Sequence, residues 1–248
     1  MHSLRTRLAR RVSAFFRLLR RALTGQEEAF TTGSIDRAIF LLAVPMVLEM
    51  VMESLFAVTD AFWVGRLGVN AVATVGLTES VLTLIYSLAI GLSTAATATV
   101  ARRVGEKDPD AANRAAGQAL WLGVLAALVI SAVGLWLAAD ILGWMGASGA
   151  VVAEGRRYPQ IMFGGSITIM LLFLNNAIFR GAGNAALAMR ALWLANGLNI
   201  ALDPLLIFGW GPVPGFGVAG AAVATNLGRG VGVAYQLYHL TRGRGGLC

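Results

Sequence analysis

An apolar stretch from Ala38 to Gly65 carries three acidic residues, and this combination narrows the folds open to the chain. A helix needs roughly 20 apolar residues to cross a bilayer, at a rise of ~1.5 Å per residue. At ~100° per residue, Glu49, Glu53 and Asp60 fall on one narrow face of that helix. Because carboxylates are costly in lipid, such residues face a bundle interior or a wet cavity and mark an ion or substrate path. The stretch therefore predicts a membrane span with a functional polar face.

Pro45 lies in the same stretch and predicts a helix bend, because proline removes one backbone hydrogen bond and its ring crowds the preceding turn. A helix that bends and carries titratable groups is suited to be a moving part. The alternative is a helix whose acids pair with structural basic residues, although few basic residues fall inside the predicted spans.

The composition assigns the chain to the membrane. Of its 248 residues, 57% are hydrophobic and only 13% are charged, whereas soluble domains are about 25% charged. The net charge of +7 does not indicate a nucleic-acid partner, because the basic residues gather at the N-terminus and in alternate loops without interleaved aromatic residues. The single cysteine, Cys248, excludes an internal disulfide framework and a cysteine-built metal site. We therefore expect an all-α integral membrane protein in contact with the lipid bilayer.

Six apolar segments are separated by short polar or turn-rich loops. The expected spans are residues 38–65, 71–101, 115–139, 158–179, 187–208 and 218–240. We expect loops at 143–155 and at the turn-rich 209–217. Together the spans predict a six-transmembrane-helix bundle over residues 38–240, preceded by a polar linker at 26–37 and followed by a short tail at 241–248.

Residues 1–25 contain seven arginines between leucine, valine and phenylalanine residues at helical spacing. The apolar positions are not continuous, so this segment is not a secretory signal peptide. We expect a basic amphipathic helix on the cytoplasmic membrane surface, attracted to anionic lipid. A disordered basic tail is the alternative.

The basic residues also predict the orientation of the chain. Sixteen of the twenty Lys and Arg residues precede the first span, follow the last one or lie in the loops on that side. The opposite side has only Arg66, Arg156 and Arg157. By the positive-inside bias, both termini are expected on the cytoplasmic side of the cytoplasmic (inner) membrane, in agreement with an even number of spans.

Two carboxylates lie at similar depth in this orientation. Asp60 is ~30 Å along the first span and Asp203 ~25 Å along the fifth, both in the outer half. Asn199 is one turn from Asp203 on the same face, and Thr225 lies ~10 Å from the outer end of the sixth span. Oxygen atoms of these types suit a small hard cation, and paired carboxylates can also share a proton. We expect an H⁺ or Na⁺ site at these four residues; alternatively, Asp203 merely precedes Pro204 at a helix irregularity.

Two more charged residues are predicted inside the spans. Glu79 lies about ten residues into the second span, and Arg229 is one turn beyond Thr225 in the sixth. We expect Arg229 to be a buried counter-charge for Glu49, Glu53 or Glu79, with substrate binding as its alternative role. These four charged residues are candidates for the lining of a cavity or for a proton path.

The chain lacks the motifs of nucleotide-driven or hydrolytic chemistry. Its glycine-rich turns do not form GxxxxGK[ST], and it has neither HExxH nor GxSxG. His2 and His239 lie near the termini, away from any candidate nucleophile. We therefore expect neither an ATP-driven pump nor an enzyme, and no cofactor beyond a coupling ion. Asn175 and Asn176 are expected to bridge helices rather than to bind a ligand.

Several motifs resemble those of the multidrug and toxin extrusion (MATE) transporters. The first is P-x14-D-x-F-W-V-G-R-L-G at Pro45 to Gly68, followed by VATVGLTES. The others are GLSTAATATVARRVGEKD, FRGAGN, LNIALDPLLIFG and GVAGAAVAT, in the order and spacing of that family. The resemblance covers nearly all of the chain from Ile35 to Leu240.

The resemblance implies a transporter of two six-helix lobes, of which this chain matches the N-terminal lobe. It implies export of organic cations and related amphiphiles, coupled to H⁺ or Na⁺. Matched residue by residue, the coupling site of the family falls on Asp60, Asn199, Asp203 and Thr225. The missing second six-helix lobe is then part of the same longer chain, a partner chain or the second copy in a homodimer. Residues 241–248 are a cytoplasmic tail or the start of the inter-lobe linker.

Two features depart from the family pattern. Glu49 and Glu53 stand where many members have uncharged polar residues, which leaves the coupling ion open. The chain also ends after one lobe.

One alternative function is that of a flippase for lipid-linked precursors of the wider superfamily, which would be expected to have a more basic cavity. The other is a truncated, non-transporting membrane or assembly module.

Overall fold

The computed structural model describes residues 16–25 and 34–243, which form nine helices and one small hairpin. In chain order the elements are α1 (residues 16–24), α2 (Ile35–Gly65), α3 (Val69–Gly105), α4 (Pro109–Trp144), α5 (Gly149–Gly155), α6 (Arg157–Gly164), α7 (Ser166–Gly181), α8 (Ala185–Phe208), β1 (Gly209–Trp210), β2 (Val213–Pro214) and α9 (Val218–Thr241). The all-α architecture expected from the composition is confirmed.

Four helices in the described ranges are long and apolar enough to cross a membrane, namely α2, α3, α4 and α8. The bent pair α6 and α7 gives a fifth candidate span. Helix α9 has 24 residues, but it carries Arg229 and several glycines and is not among these apolar helices. The chain is thus a multi-pass membrane protein, while the number of six spans stays a prediction.

The fourth expected span, residues 158–179, is not a single helix. It consists of α6 and α7, which meet at Gly165 with 41° between them. Asn226 of α9 packs so closely on Gly165 that a Cβ there would overlap the asparagine side chain. Asn226 Nδ2 also donates to the Ile161 carbonyl at 2.9 Å, within the last turn of α6. The Ile161 carbonyl also accepts from the Gly165 N–H at 2.9 Å, so the helix backbone and the asparagine share this acceptor where the helix direction changes.

Two of the expected loops contain secondary structure of their own. The expected loop at 143–155 contains helix α5, whose first turn is capped by Ser148: its hydroxyl accepts from the Val151 N–H at 3.4 Å. Serine at this position satisfies an otherwise unpaired N–H. The turn-rich 209–217 contains the antiparallel β1–β2 hairpin, with Gly209 opposite Pro214. This hairpin joins α8 directly to α9.

Helices α8 and α9 form the most extensive contact between two elements. At Gly228 the backbones approach so closely that a Cβ would lie 2.5 Å from the Ala195 carbonyl oxygen. Small residues permit such close approach of helices in a membrane. Helix α2 packs mainly along α8 and only lightly on α3 and α9. The space left between α2, α3 and α9 is the location of the candidate site.

The segments outside the bundle are only partly described. The expected surface helix at 1–25 is helical over residues 16–24, where Ala22 is buried, and the Thr24 carbonyl accepts a hydrogen bond from Arg190 Nη2 of α8 at 2.8 Å. Residues 1–15, the 26–33 part of the linker and the 244–248 part of the tail lie outside the described residues.

Candidate functional site

A cavity of about 410 Å³ opens between α2, α3, α6 and α9. Its charged lining residues are Glu53 and Asp60 of α2, Glu79 of α3 and Arg229 of α9. Aromatic and apolar side chains complete the wall and include Phe56, Val64, Tyr86, Tyr158 and Met162. Three carboxylates therefore face one guanidinium group in this cavity.

Thr225 also lines the cavity, and its hydroxyl accepts a hydrogen bond from Asn199 Nδ2 at 3.0 Å. The two residues are 6% and 2% exposed. Asn199 Oδ1 is buried and has no hydrogen-bond partner among the residues that the structure describes. Two of the four expected coupling residues are therefore in direct contact across the α8–α9 interface.

Asp203 is fully buried, one turn from Asn199 on α8. Neither carboxylate oxygen has a hydrogen-bond partner within residues 16–25 and 34–243. Asp60, which is half-buried in the cavity wall, lies near enough for its negative charge to repel that of Asp203. Helix α8 continues through Pro204 to Phe208, so Asp203 does not mark a helix interruption.

The chemistry of these groups fits a proton or a monovalent cation. An ionised carboxylate buried without partners is costly, and a bound proton or cation removes that cost. The unpaired atoms are oxygens of Asp203 and Asn199, the hard ligand type that a small cation such as Na⁺ prefers. Within the described part of the chain, no group of three or more His, Cys, Asp or Glu residues has the geometry of a metal site.

Arg229 makes its direct contact with a residue that the sequence reasoning did not single out. Its Nη2 donates to Tyr86 Oη at 2.9 Å, and its guanidinium carbon is 5.7 Å from the centroid of that ring. Electrostatic interactions connect Arg229 with Asp60, Glu53 and Glu79, which fits the expected counter-charge role for two of its proposed partners. Tyr86 is seven residues after Glu79, and this spacing places both on one helical face, a signal present in the sequence.

Glu49 does not line the cavity, and its partner is not Arg229. Its carboxylate Oε2 is 3.7 Å from Arg180 Nη1 at the end of α7. Glu49 is 7% exposed, and its Oε1 has no hydrogen-bond partner among the described residues. Glu49 lies one turn closer to the inner end of α2 than Glu53, at the level where α7 ends, and this places it beside Arg180 rather than in the cavity. Pro45 is buried within the unbroken helix α2, and its role in a bend stays a prediction.

Polar side chains brace the helices around the site. Asn196 Nδ2 of α8 donates to Glu53 Oε2 at 2.9 Å, a contact that the sequence reasoning missed. Asn175 Nδ2 donates to Gln236 Oε1 at 3.1 Å, and Gln236 Nε2 donates to Asn176 Oδ1 at 2.6 Å. These bonds join α7 to α9, as expected for a pair of asparagines that bridges helices.

The MatE family model matches residues 45–205, a range that includes Asp60, Asn199 and Asp203. The chain is 31% identical over 206 residues to a probable multidrug resistance protein NorM of Thermotoga maritima. The aligned residues cover 82% of this chain and 44% of that protein. It is 28% identical over 194 residues to an FAD transporter of Shewanella oneidensis, with coverage of 78% and 43%.

The fold is similar to that of solved transporters. One is a multidrug resistance MATE family transporter of the MOP superfamily in an outward-facing conformation, with a TM-score of 0.79 and 35% sequence identity. The similarity covers 86% of this chain and 46% of that one. The chain spans about half the length of the curated relatives it matches.

Proposed function

The chain belongs to the MatE family, and from this membership we propose that it forms one six-helix lobe of an exporter that expels organic cations in exchange for H⁺ or Na⁺. The observation that carries the proposal is the buried, unpaired carboxylate of Asp203, one turn from the Asn199–Thr225 hydrogen bond and within electrostatic range of the second acid, Asp60. A structural helix gains nothing from an uncompensated acid in its core, whereas a coupling site needs an acid that takes up a cation.

The net negative charge of the cavity lining favours an organic cation as the substrate. Glu53, Asp60 and Glu79 outnumber Arg229, and aromatic side chains such as Tyr86 and Tyr158 offer apolar contact to an amphiphile. Aromatic faces also attract cations. A phosphate-bearing cargo such as that of the related FAD transporter, or a lipid-linked precursor, would be repelled by the three carboxylates.

Coupling follows from differential binding of the ion. A proton or Na⁺ from the outside binds between Asp203 and Asp60, and for Na⁺ the oxygens of Asn199 and Thr225 complete the coordination shell. The ion stabilises the conformation in which these groups converge, and the population shifts towards it. Helix α2, which carries Asp60 and contains Pro45, rearranges, and the cavity shrinks and expels its substrate. The lobe lies in the cytoplasmic membrane with both termini inside.

A second six-helix lobe provides the opposite wall of the transport path. It belongs to the same longer polypeptide, to a partner chain or to a second copy of this chain. The intact mass of the native polypeptide tests the first possibility: a mass near twice 26.1 kDa indicates two lobes in one chain. A mass near 26.1 kDa turns the search to a partner or a homodimer.

Transport of a fluorescent lipophilic cation such as ethidium tests the function. The native polypeptide, with its second lobe or partner, is reconstituted into proteoliposomes, and an inward gradient of H⁺ or Na⁺ is imposed. Gradient-driven efflux is expected for the parent and its loss is expected for Asp60→Asn and Asp203→Asn, at equal protein content. Asp140→Asn, an exposed acid at the end of α4, is the matched control and keeps full activity. Normal efflux from the Asp203→Asn variant would contradict the coupling role, and no efflux from the parent would favour a non-transporting module.

A further inference from the structure

One turn of α9 contacts three different parts of the bundle. Thr225 accepts a hydrogen bond from Asn199 of α8, and Arg229 donates one to Tyr86 of α3. Asn226, between them, contacts the junction of α6 and α7. The residue next to the proposed ion ligand Thr225 is therefore bonded to the kink of the fourth span.

The contacts of Asn226 use both ends of its amide. Its Nδ2 donates to the Ile161 carbonyl at 2.9 Å and to the Ala222 carbonyl at 3.2 Å. Its Oδ1 accepts from Thr168 Oγ1 at 3.1 Å. Ile161 lies in α6 and Thr168 in α7, so one side chain of α9 holds the two arms of the kink. The lack of a side chain at Gly165 makes room for it.

The α6 arm is part of the cavity wall. Tyr158 and Met162 face the cavity that Glu53, Asp60 and Glu79 line. The Ile161 carbonyl held by Asn226 belongs to the residue directly before Met162. A shift of α9 that carries Asn226 with it therefore moves the wall against which a substrate packs.

We propose that Asn226 is a positioning residue that couples occupancy of the ion site at Asn199, Asp203 and Thr225 to the position of the α6 wall. This inference rests on the proposed function, because it requires an ion to bind beside Thr225. Packed helices transmit small displacements because their interiors are dense, and a hydrogen-bonded side chain between two elements is a physical link of the required kind. Asn226 touches neither the ion nor the substrate.

The coupling is measured as the effect of the ion on binding of a lipophilic cation to the purified full chain in detergent. The probe is radiolabelled tetraphenylphosphonium, with affinity measured at low and at saturating Na⁺, and in parallel at high and at low pH. In the parent, the coupling ion is expected to weaken probe binding about tenfold, within the usual range of coupling between sites. The thermal midpoint measured with and without the ion reports ion binding independently.

Asn226→Ala is expected to reduce the tenfold effect to within about twofold while the ion still raises the thermal midpoint, because the ion ligands are unchanged. Gly165→Ala is a second variant that leaves Asn226 in place: its Cβ would overlap the asparagine side chain and displace it, and the same loss is expected. The matched control is Asn175→Ala, a buried asparagine of α7 that bonds α9 away from the kink and leaves the coupling near tenfold.

The outcomes separate this inference from the function on which it rests. If the parent responds to the ion and Asn226→Ala and Gly165→Ala respond to the same extent, the positioning role is wrong and the proposed function stands. If the Asn175→Ala control loses the coupling equally, the effect is general loosening of the bundle and the inference is wrong. If neither Na⁺ nor protons affect probe binding or the thermal midpoint in the parent, the proposed function fails and this inference with it.

Discussion

Asn199 on α8 donates a hydrogen bond to the Thr225 hydroxyl on α9 at 3.0 Å, across the most extensive helix contact of the bundle. The bond uses the amide nitrogen and so leaves the amide oxygen buried without a partner among the described residues. Asp203, one turn along α8, adds two more unpaired oxygens. A cluster of buried oxygen atoms without protein donors is suited to receive a cation.

Asp203→Asn is expected to raise the thermal midpoint of the chain in the absence of coupling ion, because it replaces a buried, unpaired acid by a neutral isostere. The further stabilisation by Na⁺ or by acidification is expected to disappear. A thermal-shift assay over a range of Na⁺ concentrations and pH measures both effects. Asp140→Asn is the control and keeps the ion response of the parent. An Asp203→Asn variant that is still stabilised by the ion would show that the ion binds elsewhere.

Gly228→Ala is expected to destabilise the bundle by about 1–3 kcal/mol, because its Cβ would lie 2.5 Å from the Ala195 carbonyl oxygen and force α8 and α9 apart. Gly230→Ala, two residues further along α9, meets no atom within 4 Å and is expected to cause no loss. Equilibrium unfolding in detergent distinguishes the two variants. Equal stability of both would contradict the close α8–α9 packing.

Tyr86→Phe removes the hydroxyl that accepts from Arg229 and leaves the aromatic ring beside Phe173 in place. The loss of a hydrogen bond to a buried charged group is expected to cost about 1–3 kcal/mol of stability. Tyr238→Phe, a half-exposed tyrosine of α9, is the control and stays near the stability of the parent. If both tyrosine variants unfold at the same denaturant concentration, Arg229 does not depend on the Tyr86 hydroxyl.

Much of the helical architecture could be predicted, because the spacing of apolar and charged residues along the sequence determines where a helix forms and which residues share a face. Glu49, Glu53 and Asp60 fall on one face of α2 by helical spacing alone. Because α2 and α8 run in the same direction, the positions of Asp60 and Asp203 along their helices predict a similar depth. The kink at Gly165 could not be predicted in this way. Its packing partner Asn226 is 61 residues away in the sequence and meets Gly165 only after α9 packs on α6 and α7.

The sequence also did not show which acidic residue pairs with which arginine. Arg229 and Arg180 are both basic residues within reach of the membrane interior, and nothing in their local sequence tells which acid each one meets. The structure pairs Glu49 with Arg180 because α7 ends at the level of Glu49, whereas Arg229 lies at the level of the cavity acids. Which charges meet depends on the depth at which each helix ends, and hydropathy locates helix ends only to within a few residues.

Arg180→Gln is expected to destabilise the chain by about 1–3 kcal/mol, because it leaves the buried Glu49 carboxylate without its counter-charge. The double variant Glu49→Gln and Arg180→Gln is expected to recover most of that loss, since neither charge remains. Denaturant unfolding of the four combinations gives the coupling energy. Additive losses in the double variant would show that the two residues act independently.

The exposed Arg102–Glu106 pair at the end of α3 is the control for the unfolding measurements on Glu49 and Arg180. Hydrogen bonds from Arg102 and Arg103 hold the pKa of Glu106 below its usual range. Because all three side chains are exposed, Arg102→Gln is expected to leave the stability nearly unchanged. A loss as large as that of Arg180→Gln would mean that burial does not decide the effect.

Release of the bound ion when substrate binds is the direct measure of coupling between the Asp203 site and export. Tetraphenylphosphonium is added to the purified chain in weakly buffered detergent solution, and released protons are counted with a pH indicator and released Na⁺ with an ion-selective electrode. With tenfold coupling between the sites, release of up to about 0.5 H⁺ or Na⁺ for each probe molecule bound is expected near half-saturation with the ion, and no release from Asp203→Asn. Stoichiometric probe binding by the parent without release of either ion would contradict the coupling of this site to export.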